Sequence, residues 1–292
     1  MAKVLIELAT PSLGDTIGWL PQAEEYRIKY LDAKDQVDIT VDERYHCLFE
    51  KEYPQFNFYA RKDPSDYDKA VKVDIKDLSD LRRNIIEVAT TSLGLPYKEI
   101  RPRVALPKLK NNFKKPYVCI ATQSTAQFKF WNNPDGWRKT IKYLRSKNYE
   151  VVSIDQHECY GVEGWWNHTP VEAIRKNDFN DGVDRPPITL PERVNDLYFC
   201  DFFIGLSSGL SWLSWAMKKP TIMIAGGSRE DQEFYTPYKV INKSVCHCCA
   251  ANHNFDRSKW AWCPEHEGTD RQFECTKKIS FEMVKQQIDR LL

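Results

Sequence analysis

Short apolar runs alternate with amphipathic helical segments along most of this chain. In the first half, Val4–Ala9 predicts a strand, and a helical pattern follows it over Thr16–Tyr30. Val37–Val41 and Phe56–Tyr59 predict two further strands, with a helical stretch around Glu43–Glu50 between them. This repeated β-α-β order is typical of an α/β fold built on a parallel sheet.

The pattern is less regular toward the middle of the chain. Residues 61–80 are charged and carry few structural signals, and a helix is predicted over Leu78–Leu93. Arg101–Lys115 holds two prolines and several lysines without a long periodic pattern, so we predict a linker there. The chain is thereby divided into an N-terminal domain over residues 1–105 and a C-terminal domain over residues 115–292.

The second half repeats the alternation of strands and helices. Predicted strands are Tyr117–Ala121, Glu150–Ile154, Phe202–Ile204 and Thr221–Ala225, and predicted helices are Pro134–Lys147, Pro191–Cys200, Leu210–Met217 and Phe281–Leu292. Residues 159–187 are predicted to be loop-like, with Trp165, Trp166 and His168 packing rather than stacking on a sugar. Two such halves are expected to face each other across a cleft, which is the natural place for a ligand.

A strand, a turn of small residues and a helix follow one another between Cys200 and Met217. The chain is predicted to turn sharply at Gly205–Gly209, where free backbone N–H groups and the helix dipole favour an anion. The same residues spell G-x-S-x-G, the nucleophile elbow of hydrolases. A serine hydrolase would use Ser207 with Asp231 and one of three histidines, His247, His253 or His266.

Two other strands are followed by polar loops. The loop after Tyr117–Ala121 carries hydroxyls, amides and one ammonium group, which suit oxygen-rich ligands such as phosphates and sugars; the residues are Thr122, Gln123, Ser124 and Lys129. A solvated surface lysine is the alternative for Lys129. Asp15 follows Gly14 at or near a predicted helix N-terminus, where a carboxylate serves either as an N-cap or as a catalytic group.

Composition narrows the classes of protein that fit. The net charge of +1 over 292 residues gives no global indication of a nucleic-acid or membrane partner. The longest uncharged run, Phe202–Met217, is shorter than the roughly 20 residues of a membrane span, and Glu7 breaks the first apolar run, so no signal peptide is predicted. Nine cysteines without an export signal indicate reduced thiols and a cytoplasmic protein.

Four cysteines near the C-terminus have the spacing of a metal site. Cys246 and Cys249 form a C-x-x-C pair, and Cys263 and Cys275 supply two further thiols. Four thiolates close a tetrahedral site without an open position, so the ion would be structural. Zinc is the default ion and iron the other candidate, while a set of buried free thiols is the alternative.

These residues together resemble the heptosyltransferases of the two-domain GT-B fold, and more closely the bacterial autotransporter heptosyltransferases. The matching strings are Ser12–Asp15, Ala121–Thr125, Lys129 with Trp131 and Trp137, Phe203–Ser211, Glu233–Pro237 and Thr269–Thr276. The resemblance covers nearly the whole chain. It implies two Rossmann-like domains facing a central cleft, ADP-heptose as the donor, and an iron ion on the four cysteines.

The resemblance also implies roles for individual residues. Asp15 matches the proposed catalytic base, Lys129 the residue on the donor diphosphate, and Ser208–Leu210, with Gly209, the amide cradle. Neighbouring residues are assigned with them, Thr122, Gln123, Ser124 and Ser207 to the donor and Ser12, Gly14 and Thr16 to the acceptor side. The implied reaction moves a sugar to a hydroxyl of a protein or a glycan, with inversion at the anomeric carbon.

Three alternatives stay open at this point. Family members carry an additional N-terminal β-rich domain that helps to bind the acceptor and assemble a large ring, whereas this sequence starts almost directly at the first core strand. The first alternative is therefore a glycosyltransferase that acts on modified bases in DNA and uses another nucleotide sugar as donor. The second alternative, a serine hydrolase with Ser207 as nucleophile, is less favoured because its candidate histidines lie among the cysteines of the predicted metal site. A purely structural metal-binding scaffold would leave Asp15 and Lys129 without a shared purpose.

Overall fold

The computed structural model divides the chain into two compact units, Met1–Pro107 and Lys108–Leu292. The structure describes residues 1–76, 83–156, 188–249 and 262–292, together with the backbone of three short strands between residues 159 and 175. Each unit is built around a parallel sheet. None of the helices in these described ranges is both long and apolar enough to cross a membrane.

The first unit is a four-stranded parallel sheet with helices. Its elements are β1 (Lys3–Leu8), α1 (Leu13–Tyr30), β2 (Gln36–Thr40), α2 (His46–Phe49) between the 3₁₀ turns Glu43–Tyr45 and Glu50–Glu52, β3 (Asn57–Tyr59), the 3₁₀ turn Pro64–Asp66, β4 (Lys69–Val73) and α3 (Ile85–Ser92). The strand order is β3-β2-β1-β4, so β1 is central. Leu5 and Ile6 of β1 are therefore fully buried.

The strand β4 lies within residues 61–80, a charged segment with few structural signals in which no strand was predicted. Among the described strands, β4 lies at the edge of the sheet and pairs only with β1, and Val73 is the only fully buried residue of its five. Because an edge strand is exposed along one side, two lysines interrupt the apolar residues of its sequence, KAVKV, and weaken the strand signal. The helix predicted over Leu78–Leu93 begins at Ile85, and residues 77–82 lie outside the described residues.

Part of the predicted linker Arg101–Lys115 packs on the first unit. The Arg103 guanidinium pairs with Glu24 at 2.8 Å between Nη2 and Oε1. The backbone N–H of Ala105 donates to the carbonyl oxygen of Leu48 at 2.8 Å. These contacts attach the start of the segment to the first unit, so a solvated linker does not describe it as a whole.

The second unit is a larger parallel sheet. Its elements are β5 (Tyr117–Ile120), α4 (Gly136–Ser146), β6 (Glu150–Ser153), β7 (Cys159–Val162), β8 (Trp165–His168), β9 (Ile174–Arg175), α5 (Leu190–Phe199), β10 (Phe203–Leu206), α6 (Gly209–Ala216), β11 (Thr221–Ile224), β12 (Lys239–Val240), α7 (Glu274–Lys277) and α8 (Phe281–Asp289). The strand order is β12-β11-β10-β5-β6-β9, with β10 and β5 at the centre. Every residue of β5, β10 and β11 is buried, as expected for a parallel sheet covered on both faces.

The segment predicted to be loop-like contains three of these strands. β7 and β8 form an antiparallel hairpin, and β9 pairs in parallel with β6. The loop prediction is therefore wrong for the backbone of these strands. The predicted packing of the Trp165, Trp166 and His168 side chains lies outside the described residues.

Gly205 lies inside β10, so the sequence-based placement of a sharp turn at this residue is wrong. A Cβ at Gly205 would lie 2.4 Å from Cε1 of Phe203 and 2.9 Å from Oγ of Ser211. The glycine is thus required by close packing within the strand. The turn itself consists of Ser207 and Ser208, and α6 begins at Gly209.

We expect Gly205→Ala to lower the free energy of unfolding by about 2 kcal/mol, because overpacking a buried site forces its neighbours to move. Gly18→Ala is the matched control, since its Cβ would meet nothing closer than 3.3 Å and lies in a helix. The higher helix propensity of alanine, worth up to about 1 kcal/mol, offsets the tighter contacts at that position. Urea denaturation measures both variants. Equal effects at the two sites would contradict the packing argument.

Candidate active site

The candidate groups of the second unit gather at one edge of its sheet. Strands β5, β6, β10 and β11 are parallel, so the segments that follow them leave the sheet on the same side. These segments carry the loop after Ala121, Asp155, the Ser207–Ser208 turn and the residues around Ser228. The carboxyl edge of an α/β sheet is where such folds bind ligands.

Asp155, two residues beyond β6, holds the loop that follows β5. Its carboxylate accepts the backbone N–H of Thr122 at 2.9 Å and of Gln123 at 3.1 Å, and the Thr122 hydroxyl at 2.8 Å. Burial raises the pKa of Asp155, and these hydrogen bonds partly oppose the rise. Thr122 and Gln123 were predicted to bind the nucleotide sugar. Their backbone N–H groups and the Thr122 hydroxyl instead donate hydrogen bonds to Asp155. The sequence-based reasoning missed Asp155, although an acid just after an apolar strand was the available signal.

Two other residues of this loop keep polar groups without partners. Ser124 is 7% exposed, and its buried Oγ has no hydrogen-bond partner in the part of the chain that the structure describes. Lys129 ends the 3₁₀ turn Gln127–Lys129 and is half-buried. Its backbone N–H donates to Ala126 at 3.0 Å, while in the described part of the chain its ammonium pairs with no carboxylate or carbonyl. A cation that is partly withdrawn from water and unpaired is suited to an anionic ligand.

Ser207 is buried and hydrogen-bonded to a carboxylate. Its hydroxyl donates to Oε1 of Glu233, and the Trp212 indole N–H donates to Oε2 of the same residue at 2.7 Å. The Ser228 hydroxyl donates to Ser207 Oγ at 3.2 Å. With 2% exposure, Ser207 does not present its hydroxyl at the surface as a nucleophile or donor contact.

The other members of the proposed hydrolase triad also have different partners. Asp231 pairs with Arg229 at 2.8 Å, His247 contacts the carbonyl oxygen of Val245 at 2.7 Å, and His266 lies 3.8 Å from Glu274. His253 lies outside the described residues. Within the described ranges no histidine contacts Ser207, so the geometry of a nucleophile and its base is not formed there.

The predicted amide cradle is smaller than the sequence suggested. The Ser208 N–H donates to the carbonyl oxygen of Leu206 at 2.8 Å and is therefore occupied. Gly209 and Leu210 are the first residues of α6 and are half-buried. Backbone N–H groups in the first turn of a helix have no intrahelical acceptor, so these two amides remain suited to an anion.

The four cysteines of the predicted metal site lie close to one another, and two of them, Cys249 and Cys263, pack against Phe128 of the loop after β5. Cys249, Cys263 and Cys275 are each at most 6% exposed, and Cys246 is half-buried. Burial first, and then the neighbouring Cys263 and Cys246, raise the pKa of Cys275 to about 12. Burial and the other three thiols likewise raise the pKa of Cys249. Three buried thiols and one half-buried thiol that lie close together fit a site completed by a cation.

The tightest group of possible ligand atoms here is a mixed one. In the described ranges, Cys246, His266 and Glu274 bring their ligand atoms within 4.8 Å of one another, whereas the four cysteines do not form so close a group. Glu274 also accepts the backbone N–H of Cys246 at 3.1 Å and pairs with Arg271. The predicted four-cysteine coordination therefore stays a prediction.

Asp15 of the first unit lies in the first turn of α1. The N-cap of this helix is Ser12, whose hydroxyl accepts the Asp15 N–H at 3.5 Å, so the N-cap alternative for Asp15 is wrong. The Asp15 carboxylate is half-buried and its Oδ2 accepts the Thr10 hydroxyl at 2.8 Å. This contact orients the carboxylate toward the loop after β1, at the carboxyl edge of the first sheet.

The residues predicted on the acceptor side are not equally accessible. Gly14 is buried, and Thr16 is 1% exposed with its hydroxyl donated to the Ser12 carbonyl oxygen at 2.9 Å; only Ser12 is exposed. A cavity of about 230 Å³ lies nearby, lined by residues 7–11, 40–42 and 60–61 at the ends of three strands. Because this cavity includes Thr10, it lies next to the Asp15 carboxylate.

Comparison with known proteins defines the class. The family profile described as glycosyltransferase family 9 (heptosyltransferase) matches residues 60–261. The chain is 40% identical to the autotransporter heptosyltransferase Aah of Escherichia coli, over 96% of this chain and 72% of Aah. It therefore belongs to glycosyltransferase family 9, the heptosyltransferases, which are enzymes with nucleotide-sugar donors.

Two further relatives make the similarity more specific. The structure of TibC from enterotoxigenic E. coli H10407, an iron-containing dodecameric glycosyltransferase, matches with a TM-score of 0.89 at 36% identity, over 99% of this chain and 78% of that one. A second TibC structure, in complex with ADP-D-beta-D-heptose, matches with a TM-score of 0.88 at 36% identity, over 99% and 76%. BimC of Burkholderia thailandensis, described as an inactive autotransporter heptosyltransferase, is 29% identical over 98% of this chain and 68% of BimC. The two parallel α/β units thus form a GT-B-like heptosyltransferase fold.

Proposed function

We propose that this chain transfers heptose from ADP-heptose to an acceptor hydroxyl, with inversion at the anomeric carbon. The observation that carries the donor assignment is the unpaired Lys129 ammonium at the same sheet edge as the Gly209 and Leu210 amides. A cation and helix N-terminal amides are the groups that stabilise a leaving diphosphate. The TibC complex with ADP-D-beta-D-heptose supports this choice of nucleotide and sugar.

In this proposal Asp15 acts as the general base. Its carboxylate takes the proton of the acceptor hydroxyl while that oxygen bonds to the anomeric carbon. The bond between this carbon and the diphosphate oxygen breaks, and its electron pair leaves with ADP. Lys129 and the two amides then stabilise the growing negative charge, and attack opposite the leaving group inverts the carbon. The Thr10 hydroxyl keeps the Asp15 carboxylate in place throughout.

We assign the acceptor to a serine or threonine hydroxyl of a polypeptide. The cavity beside Asp15 carries the carboxylates of Glu7 and Asp42, and these pair with Lys72 at 3.4 Å and Arg44 at 2.8 Å. Arg61 is the one basic residue among the residues that line this cavity, whereas DNA-binding proteins attract a phosphodiester backbone with several cations. A modified DNA base is therefore the less favoured acceptor. The curated relative Aah is named for autotransporters, which are proteins.

We further propose a structural iron ion bound by Cys246, Cys249, Cys263 and Cys275. Three of these thiols are buried, and thiolates prefer soft or borderline metal ions. An ion bound there would neutralise the thiolates and join the segments that carry them. TibC is described as iron-containing, which favours iron over zinc. Elemental analysis of purified protein separates the two metals.

The donor assignment is tested by calorimetric binding of ADP, UDP and GDP. We expect ADP to bind most tightly, and Lys129→Met to weaken ADP about tenfold to a hundredfold, because a charge-assisted hydrogen bond contributes about 1.5–3 kcal/mol. Lys139→Met is the control, since Lys139 is an exposed lysine on α4 that pairs with Asp135. Unchanged ADP affinity in Lys129→Met would remove Lys129 from the donor site.

The acceptor assignment needs a separate assay, because one relative is described as inactive. ADP release from ADP-heptose is measured with a serine- and threonine-containing peptide and with duplex DNA carrying hydroxymethylated bases. We expect release above the rate of donor hydrolysis with the peptide alone. Stimulation by DNA alone would replace the polypeptide acceptor with the DNA alternative.

A further inference from the structure

Arg193 is a buried arginine with unfilled hydrogen-bond donors. The residue is 5% exposed, and its Nε and Nη2 atoms are buried without a hydrogen-bond partner among the described residues. Desolvation of a cation costs several kcal/mol unless charge and hydrogen bonds compensate for it. An unpaired guanidinium therefore indicates either a distant countercharge or a ligand that the structure does not contain.

Asp155 is the negative charge with the largest electrostatic effect on Arg193. Burial lowers the pKa of Arg193, and the negative charges of Asp155 and Glu192 oppose this change. The Asp155 carboxylate is already occupied by the Thr122 and Gln123 amides and by two hydroxyls, and no ion pair joins it to Arg193. Asp155 thus balances the charge of Arg193 but leaves its N–H donors unused.

Arg193 lies toward the carboxyl edge of the second sheet, where the proposed donor-binding groups also lie. α5 ends at Phe199, shortly before β10 begins at Phe203 on the amino edge of the sheet. Arg193, in the first turn of α5, therefore lies toward the carboxyl edge, about 9 Å along the helix from Phe199 at 1.5 Å per residue. The loop that Asp155 holds includes Ser124, whose buried hydroxyl also has no partner.

We propose that Arg193 is a second cationic contact for the phosphates of the nucleotide-sugar donor, with the Ser124 hydroxyl as a neighbouring hydrogen-bond donor. This inference rests on the proposed function, because the phosphates are those of ADP-heptose. The planar guanidinium offers paired N–H groups that match phosphate oxygens, whereas Lys129 offers a single point charge. Since Nε and Nη2 are screened from solvent, the contact requires a change of the Arg193 rotamer when the phosphates enter.

The test compares ADP, pyrophosphate and adenosine binding by calorimetry in the full chain and in Arg193→Gln. We expect ADP and pyrophosphate to bind about tenfold to a hundredfold more weakly in the variant, because charge-assisted hydrogen bonds are lost, and adenosine to bind unchanged. Arg138→Gln is the matched control, since Arg138 is an exposed arginine on α4. Thermal melting of each variant accompanies the titrations.

ADP and pyrophosphate affinities within twofold of the original chain would overturn the inference and leave Arg193 as a countercharge for Asp155. If Arg193→Gln does not fold, Arg193→Lys carries the test, because it keeps the charge but loses the paired N–H groups. Several-fold weaker ADP binding in that variant supports the inference, and unchanged binding overturns it. If the original chain binds pyrophosphate through Arg193 but does not bind ADP, the anion site stands and the proposed function fails.

Discussion

Asp15→Asn is expected to abolish sugar transfer while leaving ADP binding intact. Asparagine has nearly the same shape as aspartate and can still accept the Thr10 hydroxyl, but it cannot take a proton from the acceptor. Loss of a general base slows the chemical step by about 10²- to 10⁴-fold. ADP release from ADP-heptose with the acceptor peptide measures the rate, and calorimetry measures ADP affinity. Asp32→Asn, at an exposed position after α1, is the control.

A second substitution, Thr10→Val, tests the hydrogen bond that orients the Asp15 carboxylate separately from the carboxylate itself. Thr10→Val keeps the Asp15 carboxylate and removes only the 2.8 Å hydrogen bond that orients it. We therefore expect a smaller loss of rate than in Asp15→Asn, of about tenfold to a hundredfold, since a single neutral-to-charged hydrogen bond contributes about 1.5–3 kcal/mol. Normal turnover in Asp15→Asn would exclude Asp15 as the base, whatever the Thr10 variant does.

The sequence predicted the elements that apolar periodicity specifies and failed where packing or pairing decides. The strands β5, β10 and β11 are continuous apolar runs, and their predicted positions match the structure to within one or two residues. β4 was missed because an edge strand carries little apolar signal. Gly205 was placed in a turn because glycine usually interrupts a strand, whereas here the Phe203 ring excludes a Cβ.

The candidate site shows the same division. Residue type and position after a strand made Asp15 and Lys129 candidates, because both features are local in sequence, but the family resemblance supplied their roles, which stay predictions. The use of Thr122 and Gln123 by Asp155 could not be predicted, since it depends on the pairing of β5 with β6. The isolation of Arg193 also depends on its surroundings in the folded chain, which no spacing in α5 reveals.

The cysteine neighbourhood packs against the turn that carries Lys129. Phe128 and Ala126 form one buried cluster with Cys249, Cys263 and Phe273. Gly227 makes room for the Phe128 ring, which a Cβ there would approach to 2.0 Å. A change among the cysteines is therefore passed to the Lys129 turn by direct contact. The ion that we propose on the four cysteines would therefore affect donor binding without a part in the reaction.

Metal loss is accordingly expected to weaken donor binding as well as stability. We expect Cys263→Ser to lose the bound ion, to lower the melting temperature, and to weaken ADP binding at least about tenfold, because tetrahedral thiolate sites contribute folding free energy directly. Removal of the ion from the original chain with a chelator should have the same effect on ADP affinity. Elemental analysis, thermal melting and calorimetry measure the three consequences.

Cys248→Ser is the matched control for this prediction. Cys248 lies between Cys246 and Cys249 in the sequence but is not one of the four predicted ligands, and its Sγ lies 3.5 Å from the Ser228 carbonyl oxygen. It should keep both the ion and ADP affinity. Full ADP affinity in metal-free Cys263→Ser would show that the ion does not position the Lys129 turn, because Phe128 would then hold that turn without it. Equal metal loss in Cys248→Ser would instead replace the four-cysteine ligand set with one that includes Cys248.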